Sequence, residues 1–261
     1  MRGCNFLVGE RCEEEFMAEN DELILNLSRK LLTLMLNEKI PFEKKIGNMD
    51  YLIRLGADVN KQVYGKSIAL WAKELGDDDV VKYVKENGGV ETEISKEESD
   101  ELGKQFWNKS GKLKSVKEIK ELVLMGADLG INEIKYGQIW KNLSFEEMNE
   151  VLKDLPKGYV IEGDVNLGNL DLTELPDFSK IKVKGTFFCH GNQLTTLQGA
   201  PREVGEYFWC YNNELRDLKG KPEKIGGEFA VEETVLARIE ELEKQKKNNA
   251  VMGAMTDKFE M

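Results

Sequence analysis

Between Val183 and Ile225 the chain writes one 21-residue phrase twice, VKGTFFCHGNQLTTLQGAPRE and then VGEYFWCYNNELRDLKGKPEK. The copies agree at Val183 and Val204, Phe187 and Phe208, Cys189 and Cys210, Asn192 and Asn213, Leu194 and Leu215, Leu197 and Leu218, Gly199 and Gly220, and Pro201 and Pro222. A fixed period this short specifies a solenoid coil, whose apolar face is buried only against its neighbours. Stability is then a sum of coil and interface contributions, and no single central core is expected.

The pattern runs on in both directions. Gly163 to Leu167 and Leu170 to Pro176 make a first coil 22 residues before the next, and a fourth begins at Gly227-Glu228-Phe229-Ala230-Val231, with Leu236 and Ile239 still in phase. Within a coil, Phe187 and Cys189 are expected to point inward from a short strand, Asn192 to bond the coil's backbone, and Leu194 and Leu197 to fill the return. From Thr234 the run VLARIEELEKQKK is rich in helix formers, so a helix is predicted to cover the open edge of the last coil. The tail from Asn248 is expected to be loose, or ordered by a partner.

Before Gly158 the periodicity is helical. Residues 1–21 carry no clear period; then Leu23, Leu25, Leu27, Leu31, Leu32, Leu34 and Leu36 form a broad apolar surface that Pro41 ends. Met49, Leu52, Ile53 and Leu55 mark a second helix, closed at Gly56, where glycine supplies a left-handed C-cap. Asp77-Asp78-Asp79 lacks the spacing of a calcium loop and reads as a helix start, where carboxylates favour the positive end of the dipole. Phe106 and Trp107 are placed on a later first helix, and Ile119, Leu122, Val123 and Met125 on its second. The spacing from Gly56 to Gly88 is 32 and from Gly88 to Gly126 is 38, so one unit carries an insertion, assigned to the charged stretch Glu91 to Asp100. Ser144 and Glu147 form a capping box for a last helix.

Two resemblances follow. Gly65-Lys66-Ser67-Ile68-Ala69-Leu70-Trp71-Ala72 resembles the G-x-T-P-L-H-x-A opening of an ankyrin repeat, with Ser67, Ile68 and Leu70 in place of Thr, Pro and His. Val80, Val81, Tyr83, Val84 and Gly88-Gly89 follow at the spacing of its second helix, and Tyr136-Gly137 with Trp140 echoes Tyr64-Gly65 with Trp71. The pattern V-x-G-x-F-x-C-x-x-N-x-L-T-x-L-x-G-A-P resembles a leucine-rich-repeat variety of bacteria and their phages. Together these imply an α+β repeat protein: an ankyrin-like helical solenoid over 1–157, with 1–21 unplaced, fused to a leucine-rich-repeat-like β-solenoid over 158–240. The end of a C-terminal capping helix and a tail occupy 241–261.

Charge and cysteine usage bound the function. With 37 Lys and Arg against 48 Asp and Glu the net charge is -11, and no basic face is available for phosphate, so neither nucleic-acid binding nor attachment to anionic lipid is expected. No stretch approaches a membrane span and no secretory leader is read at the start, which places the expectation in the cytoplasm. Cys189 and Cys210 should stack in adjacent coils as reduced, small apolar residues; Cys4 and Cys12 sit near the start. A single histidine cannot complete a Cys/His zinc set. No phosphate-cradling loop, metal set or nucleophile with a base is present, so neither cofactor nor enzymatic activity is expected.

The candidate site lies where the two copies differ. Strand alternation turns Thr186, Phe188 and His190 outward in one coil and Glu206, Trp209 and Tyr211 in the next, with Tyr207 ambiguous. The relatives of this repeat mostly carry Asp, Ser or Gly there. Phe188, His190, Tyr207, Trp209 and Tyr211 are therefore the expected protein-binding residues, and four exposed rings would offer on the order of 15 kcal/mol gross. The chain's own C-terminus covering these rings, and a plain stacked surface, are the competing readings. A second surface is open in the helical half, through Val59 to Tyr64, Trp71, Asp128 to Tyr136 and Trp140, although Trp71 and Trp140 read better as core. The expected partner is another protein, and the resemblance implies an inhibitor of phage or mobile-element type, anti-CRISPR-like, docking on a host or defence protein. The alternatives are an acidic competitor for a nucleic-acid channel and a structural or assembly scaffold without a regulated target.

Overall fold

The computed structural model of the chain describes residues 7–37, 39–108, 110–130, 139–238, 241 and 244–245. They form two compact units, Met1–Asp128 and Leu129–Met261, the first helical and the second a parallel β-solenoid of about three turns.

The helical unit is built from consecutive pairs: α1 (Leu7–Met35) with α2 (Phe42–Arg54), α3 (Ile68–Glu74) with α4 (Asp78–Glu86), and α5 (Lys96–Lys104) with α6 (Val116–Met125). Short helices are costly to start, and side-chain caps offset that cost. Ser67 accepts from the Leu70 amide and Asp77 from the Val80 amide, while Ser95 with Glu98 and Ser115 with Glu118 close full capping boxes. Asp77 to Asp79 thus cap α4 as the sequence indicates. Every helix of the unit except α5 contributes buried residues, among them Leu31, Leu32, Met49, Ile68, Trp71, Val80, Val84, Ile119 and Val123. Polar side chains stitch successive connections together: Ser28 exchanges bonds with the Asp58 backbone, Asn60 with Gly88 and Val90, and Ser67 Oγ donates to the Val90 carbonyl at 2.7 Å.

Two sequence placements in this unit are corrected. Helix α5 begins at Lys96, inside the stretch assigned to the insertion. The additional residues instead separate α5 from α6, eleven positions from Gln105 to Ser115, against three between α3 and α4. With no fully buried residue, α5 carries no apolar period that would separate its first turn from the charged stretch before it. Phe106 and Trp107 follow α5 rather than lying on it, and Trp107 bridges to Leu113 across the connection.

In the second unit a 3-10 turn (Ile139–Asn142) and α7 (Phe145–Leu152) precede the coils. Each coil carries two short strands. One parallel sheet runs in the order β1 (Val160–Ile161), β3 (Lys182–Val183), β5 (Glu203–Val204), β7 (Lys224–Ile225), and the other in the order β2 (Val165–Asn166), β4 (Phe187–Phe188), β6 (Phe208–Trp209), β8 (Phe229–Ala230). Val165, Phe187, Phe208 and Phe229 pair in register, reproducing the spacings of 22, 21 and 21. The strand expected at Phe187 is the second sheet; the first adds a strand per coil that the sequence reading did not place.

An aromatic spine fills the interior. Trp140 packs on Phe178 at 5.0 Å, Phe178 on Phe187 at 5.3 Å, Phe187 stacks on Phe208 at 5.5 Å, and Phe208 reaches Phe229 at 5.8 Å. Cys189 and Cys210 lie beside it as free, buried thiols; burial holds the Cys189 thiol well above its ordinary value and pushes Cys210 up to about 12. The sequence period changes at Gly158, yet the compact division falls between Asp128 and Leu129. The reason is that Trp140, Met148, Val151 and Leu152 are buried residues of the solenoid unit, with Trp140 opening its spine. At the other end residues 233–238 are helical, and the Arg238 guanidinium donates to the Leu215 carbonyl, as a covering helix requires. Glu241, Lys244 and Gln245 are helical as well; the remainder of that predicted helix, the tail, Cys4, Cys12 and the Tyr136-Gly137 echo lie outside the described residues or side chains.

Candidate functional site: an aromatic face on the solenoid

The residues that alternate with Phe187 and Cys189 define the outer face of the β2–β4–β6–β8 sheet. In-register pairing sorts them into three rows across the four coils. Asp164, Thr186, Tyr207 and Glu228 form the first row, Asn166, Phe188, Trp209 and Ala230 the second, and Gly168, His190, Tyr211 and Glu232 the third. Small or polar side chains of the outer coils therefore frame an aromatic block in the middle two.

The block is continuous. Phe188 meets Trp209 edge to face at 5.1 Å and His190 at 6.1 Å, His190 stacks on Tyr211 at 4.9 Å with 16° between planes, and Trp209 lies 6.2 Å from both Tyr207 and Tyr211. Phe188, His190, Trp209 and Tyr211 are half-buried, and Tyr207 is 45% exposed. All five expected site residues are thus brought together.

The register corrects one neighbour and burial qualifies another. Thr186 lies in the outer row as expected but is buried there: its hydroxyl donates to Glu206 Oε2 at 3.2 Å and its amide to Asp164 Oδ1 at 2.7 Å. Glu206 occupies the place of Gly185, one residue before the row, so Tyr207 is the true counterpart of Thr186. With Phe208 matched to Phe187 as the inward ring, alternation turns Tyr207 outward and takes Glu206 out of the row.

His190 owes its position to the coil before it. A Cβ on Gly168 would lie 2.6 Å from His190 Cε1 and 2.8 Å from Nε2, so the imidazole rests flat on the bare Gly168 backbone with Tyr211 on its other side. Its Nδ1 is buried without a partner among the described residues. Burial, reinforced by the Lys141 ammonium, lowers the His190 pKa from its ordinary value. Among the described residues no nucleophile with an orienting carboxylate accompanies it, as a catalytic histidine requires.

The backbone beneath the face is fixed by two asparagines. Asn192 Nδ2 donates to the Leu167 and Cys189 carbonyls at 2.8 and 3.0 Å while its Oδ1 accepts from Leu170 and Leu172. Asn213 repeats the arrangement one coil on, with donations to Cys189 and Cys210 at 3.0 and 2.9 Å and acceptance from Leu194.

Ionic chemistry divides the coils into two regions. Away from the face, three glutamates are paired: Glu203 with Lys182 at 2.9 Å, Glu162 with Lys184 at 2.7 Å, and Glu223 with Arg202 at 2.9 Å. At the face, Asp164, Glu206, Glu228 and Glu232 have no basic partner among the described residues. Glu232 Oε1 accepts from the Asn212 amide, and its Oε2 is buried with no partner among the described residues. The sequence reading did not single out Glu228 and Glu232, although the same 21-residue step leads from Tyr207 and Tyr211 to them.

The second surface considered for the helical half is not presented as such. Val59, Val63, Tyr64 and Trp71 are buried, as is Trp140, and the indoles of Trp71 and Trp140 donate to the carbonyls of Val63 and Leu129. Residues 131–136 of that expectation lie outside the described residues. Among the described residues no cluster of His, Cys, Asp or Glu is arranged to hold a metal ion, and no helix is long and apolar enough to cross a membrane. Comparison with protein-family models, curated proteins and solved structures finds no match to the chain.

Proposed function

We propose that this chain is a non-enzymatic protein-binding scaffold, a diverged ankyrin-type helical unit joined to a leucine-rich-repeat-like solenoid, whose aromatic face engages another protein. The observation that carries this reading is the block of Phe188, His190, Tyr207, Trp209 and Tyr211. These five rings are excluded from the coil's own spine, lie in mutual contact and face outward. Aromatic clusters of this kind are the usual anchors of interface hot spots. The described part of the C-terminal helix is tied to Leu215, a residue of the coil's return rather than of the face, which favours an external occupant over self-cover.

The repeat resemblance gives the proposal its concrete form: an inhibitor of phage or mobile-element type, anti-CRISPR-like, that docks in the cytoplasm on a host or defence protein. Magnitudes set a condition on it. Five rings with about a quarter of ~200 Å² each still open release roughly 6 kcal/mol gross, at the low end of the ~4 to 15 kcal/mol that association costs. Polar complementarity has to add to the apolar contact.

The test is quantitative affinity capture from the native host with wild-type protein and with Trp209→Ala and Tyr207→Ala. A specific partner should be depleted at least tenfold by either variant, as loss of a hot-spot anchor entails; equal recovery by all three proteins would exclude the face. The net charge of -11 favours one rival, an acidic competitor for a nucleic-acid channel. That reading requires affinity to collapse between low and moderate salt, whereas the aromatic face retains most of its affinity.

A further inference from the structure

We infer that the occupant of the aromatic face is a basic segment of its protein partner, an Arg- or Lys-bearing stretch whose cations sit at the third- and fourth-coil edge. This rests on the protein-binding reading above and names the chemistry that the face selects.

The argument is one of charge and geometry. Tyr207 and Tyr211 stand in the third coil, and the positions level with them in the fourth are Glu228 and Glu232, one strand spacing away, about 4.8 Å. Glu206 adjoins Tyr207 in sequence. Glu228 and Glu232 therefore border the fourth-coil edge of the rings, while Glu206 Oε2 is held on the second-coil side by the Thr186 hydroxyl; none of the three has a cation among the described residues, although the solenoid pairs Glu162, Glu203 and Glu223 with lysine or arginine elsewhere. The pairing follows from coil position: a residue and its equivalent one coil on have opposite sign at Lys182 and Glu203 and at Arg202 and Glu223, but no Lys or Arg occupies any position of the three outer rows.

Glu232 gives the edge a specific acceptor. Its Oε1 takes the Asn212 amide, which fixes the side chain, and its Oε2 is left buried without a donor among the described residues. A buried carboxylate oxygen favours a charge-assisted donor strongly. Beside it the open faces of Tyr207, Trp209 and Tyr211 attract a cation through the ring quadrupole, with arginine the more frequent partner because its planar guanidinium stacks as well as donates. A neutral or acidic segment would leave these carboxylates uncompensated as water is excluded. The cation that acts on His190, Lys141, belongs to the 3-10 turn that contacts β2; the first coil thus sets one carboxylate, Asp164, already accepting the Thr186 amide, beside a lysine, whereas the fourth coil sets two, Glu228 and Glu232, in the outer rows. The face is polarised, and the basic group of the occupant belongs at its far edge.

The experiment titrates the full-length protein with a twelve-residue peptide alternating Arg and Ser, and with the same peptide carrying citrulline, the uncharged isostere, in place of Arg. The reporter is the Trp209 indole N–H resonance, identified by its loss in Trp209→Phe. The arginine peptide should shift this resonance and bind about tenfold more tightly than the citrulline peptide, with the advantage reduced to about threefold or less in Glu228→Gln/Glu232→Gln. Equal binding of the two peptides, or an advantage untouched by the double substitution, overturns the inference. So does arginine-peptide binding that survives Trp209→Ala, since attraction to a negatively charged chain at large needs no aromatic ring. Circular dichroism melts of each variant confirm that the coils remain folded, and Tyr207→Ala, at the most exposed ring, repeats the test where Trp209→Ala unfolds. The parent reading fails on a different result: a photo-crosslinker at Tyr207 that captures no partner which Trp209→Ala disrupts. Capture of a neutral or acidic partner segment by that crosslinker would sink the basic-segment inference and leave the protein-binding reading standing.

Discussion

His190 is neutral by construction. The imidazole lies between the bare backbone of Gly168 and the ring of Tyr211, its Nδ1 buried without a partner among the described residues. Burial, with Lys141 adding repulsion, lowers its pKa below the unfolded value of 6.5. The sign follows from proton counting. Below pH 6.5 the unfolded chain takes up a proton that the folded chain still refuses, so unfolding is favoured as pH falls. Stability contributed by the neutral ring is complete above pH 6.5 and is lost as pH drops toward the lowered folded-state value. Because this is the sole histidine, denaturant melts between pH 7.5 and 5.5 should show a decline approaching one proton, and His190→Phe should flatten it. A slope unchanged in that variant would place the titration elsewhere. Asn192 illustrates what was readable at this scale and why. A polar residue repeated at the period of the coil has to satisfy backbone groups the turn leaves unpaired, and it does so with the Leu167, Cys189, Leu170 and Leu172 backbone. Glu206 was readable, since the match of Phe208 to Phe187 turns Tyr207 outward and Glu206 out of the row, whereas the burial of Thr186 depends on its contact with Glu206, which the repeat pattern does not carry.

At the scale of the element, repetition made the coils legible, and apolar periodicity most of the helices, but not α5. Phe187, Phe208 and Phe229 recur at fixed steps, and the strands pair on those residues. The ionic partners that line the other sheet, Lys182 with Glu203, change sign from coil to coil, so a search for identity passes over them and over the strands they mark. Helix α5 has no buried residue to give it a period; its capping box, Ser95 with Glu98, is the remaining signal. The spine predicts how a coil fails. Phe208 is fully buried, between Phe187 at 5.5 Å and Phe229 at 5.8 Å. Phe208→Ala should cost about 3 to 5 kcal/mol. In a nearest-neighbour array the loss should fall on the flanking interfaces. Hydrogen exchange should therefore quicken at the amides of Phe187, Phe208 and Cys210, which are bonded to the following coil, and stay slow at Lys182 beside the cap. Uniform quickening across all coils would argue against a coil-by-coil sum.

For the whole molecule, the choice of where one unit ends decides whether the solenoid has a lid. A cut at Gly158, where the period changes, would leave a first coil ending on Phe178 with its outer ring face open. A cut after Asp128 retains Trp140, fully buried at 5.0 Å from Phe178 with its indole donating to the Leu129 carbonyl at 3.0 Å, together with buried Met148, Val151 and Leu152 of α7. The Asn149 side chain adds a polar tie, accepting the Asp177 amide at 2.9 Å. A solenoid end without a cap exposes both apolar surface and strand edge, and loss of one buried tryptophan alone is worth about 3 to 5 kcal/mol. The fragment 129–261 should therefore melt in one cooperative transition with the near-ultraviolet dichroism of a packed core, whereas 158–261 should melt at least ten degrees lower or aggregate, given that about 1 kcal/mol shifts a domain of this size by roughly 4 to 8 °C. Equal melting of the two fragments would mean that 129–157 is no part of the solenoid's core. The same pair separates stability from recognition: 129–261 keeps every ring and carboxylate of the aromatic face, so it should bind the arginine peptide as the full chain does, and a failure there would show that recognition draws on the helical unit as well.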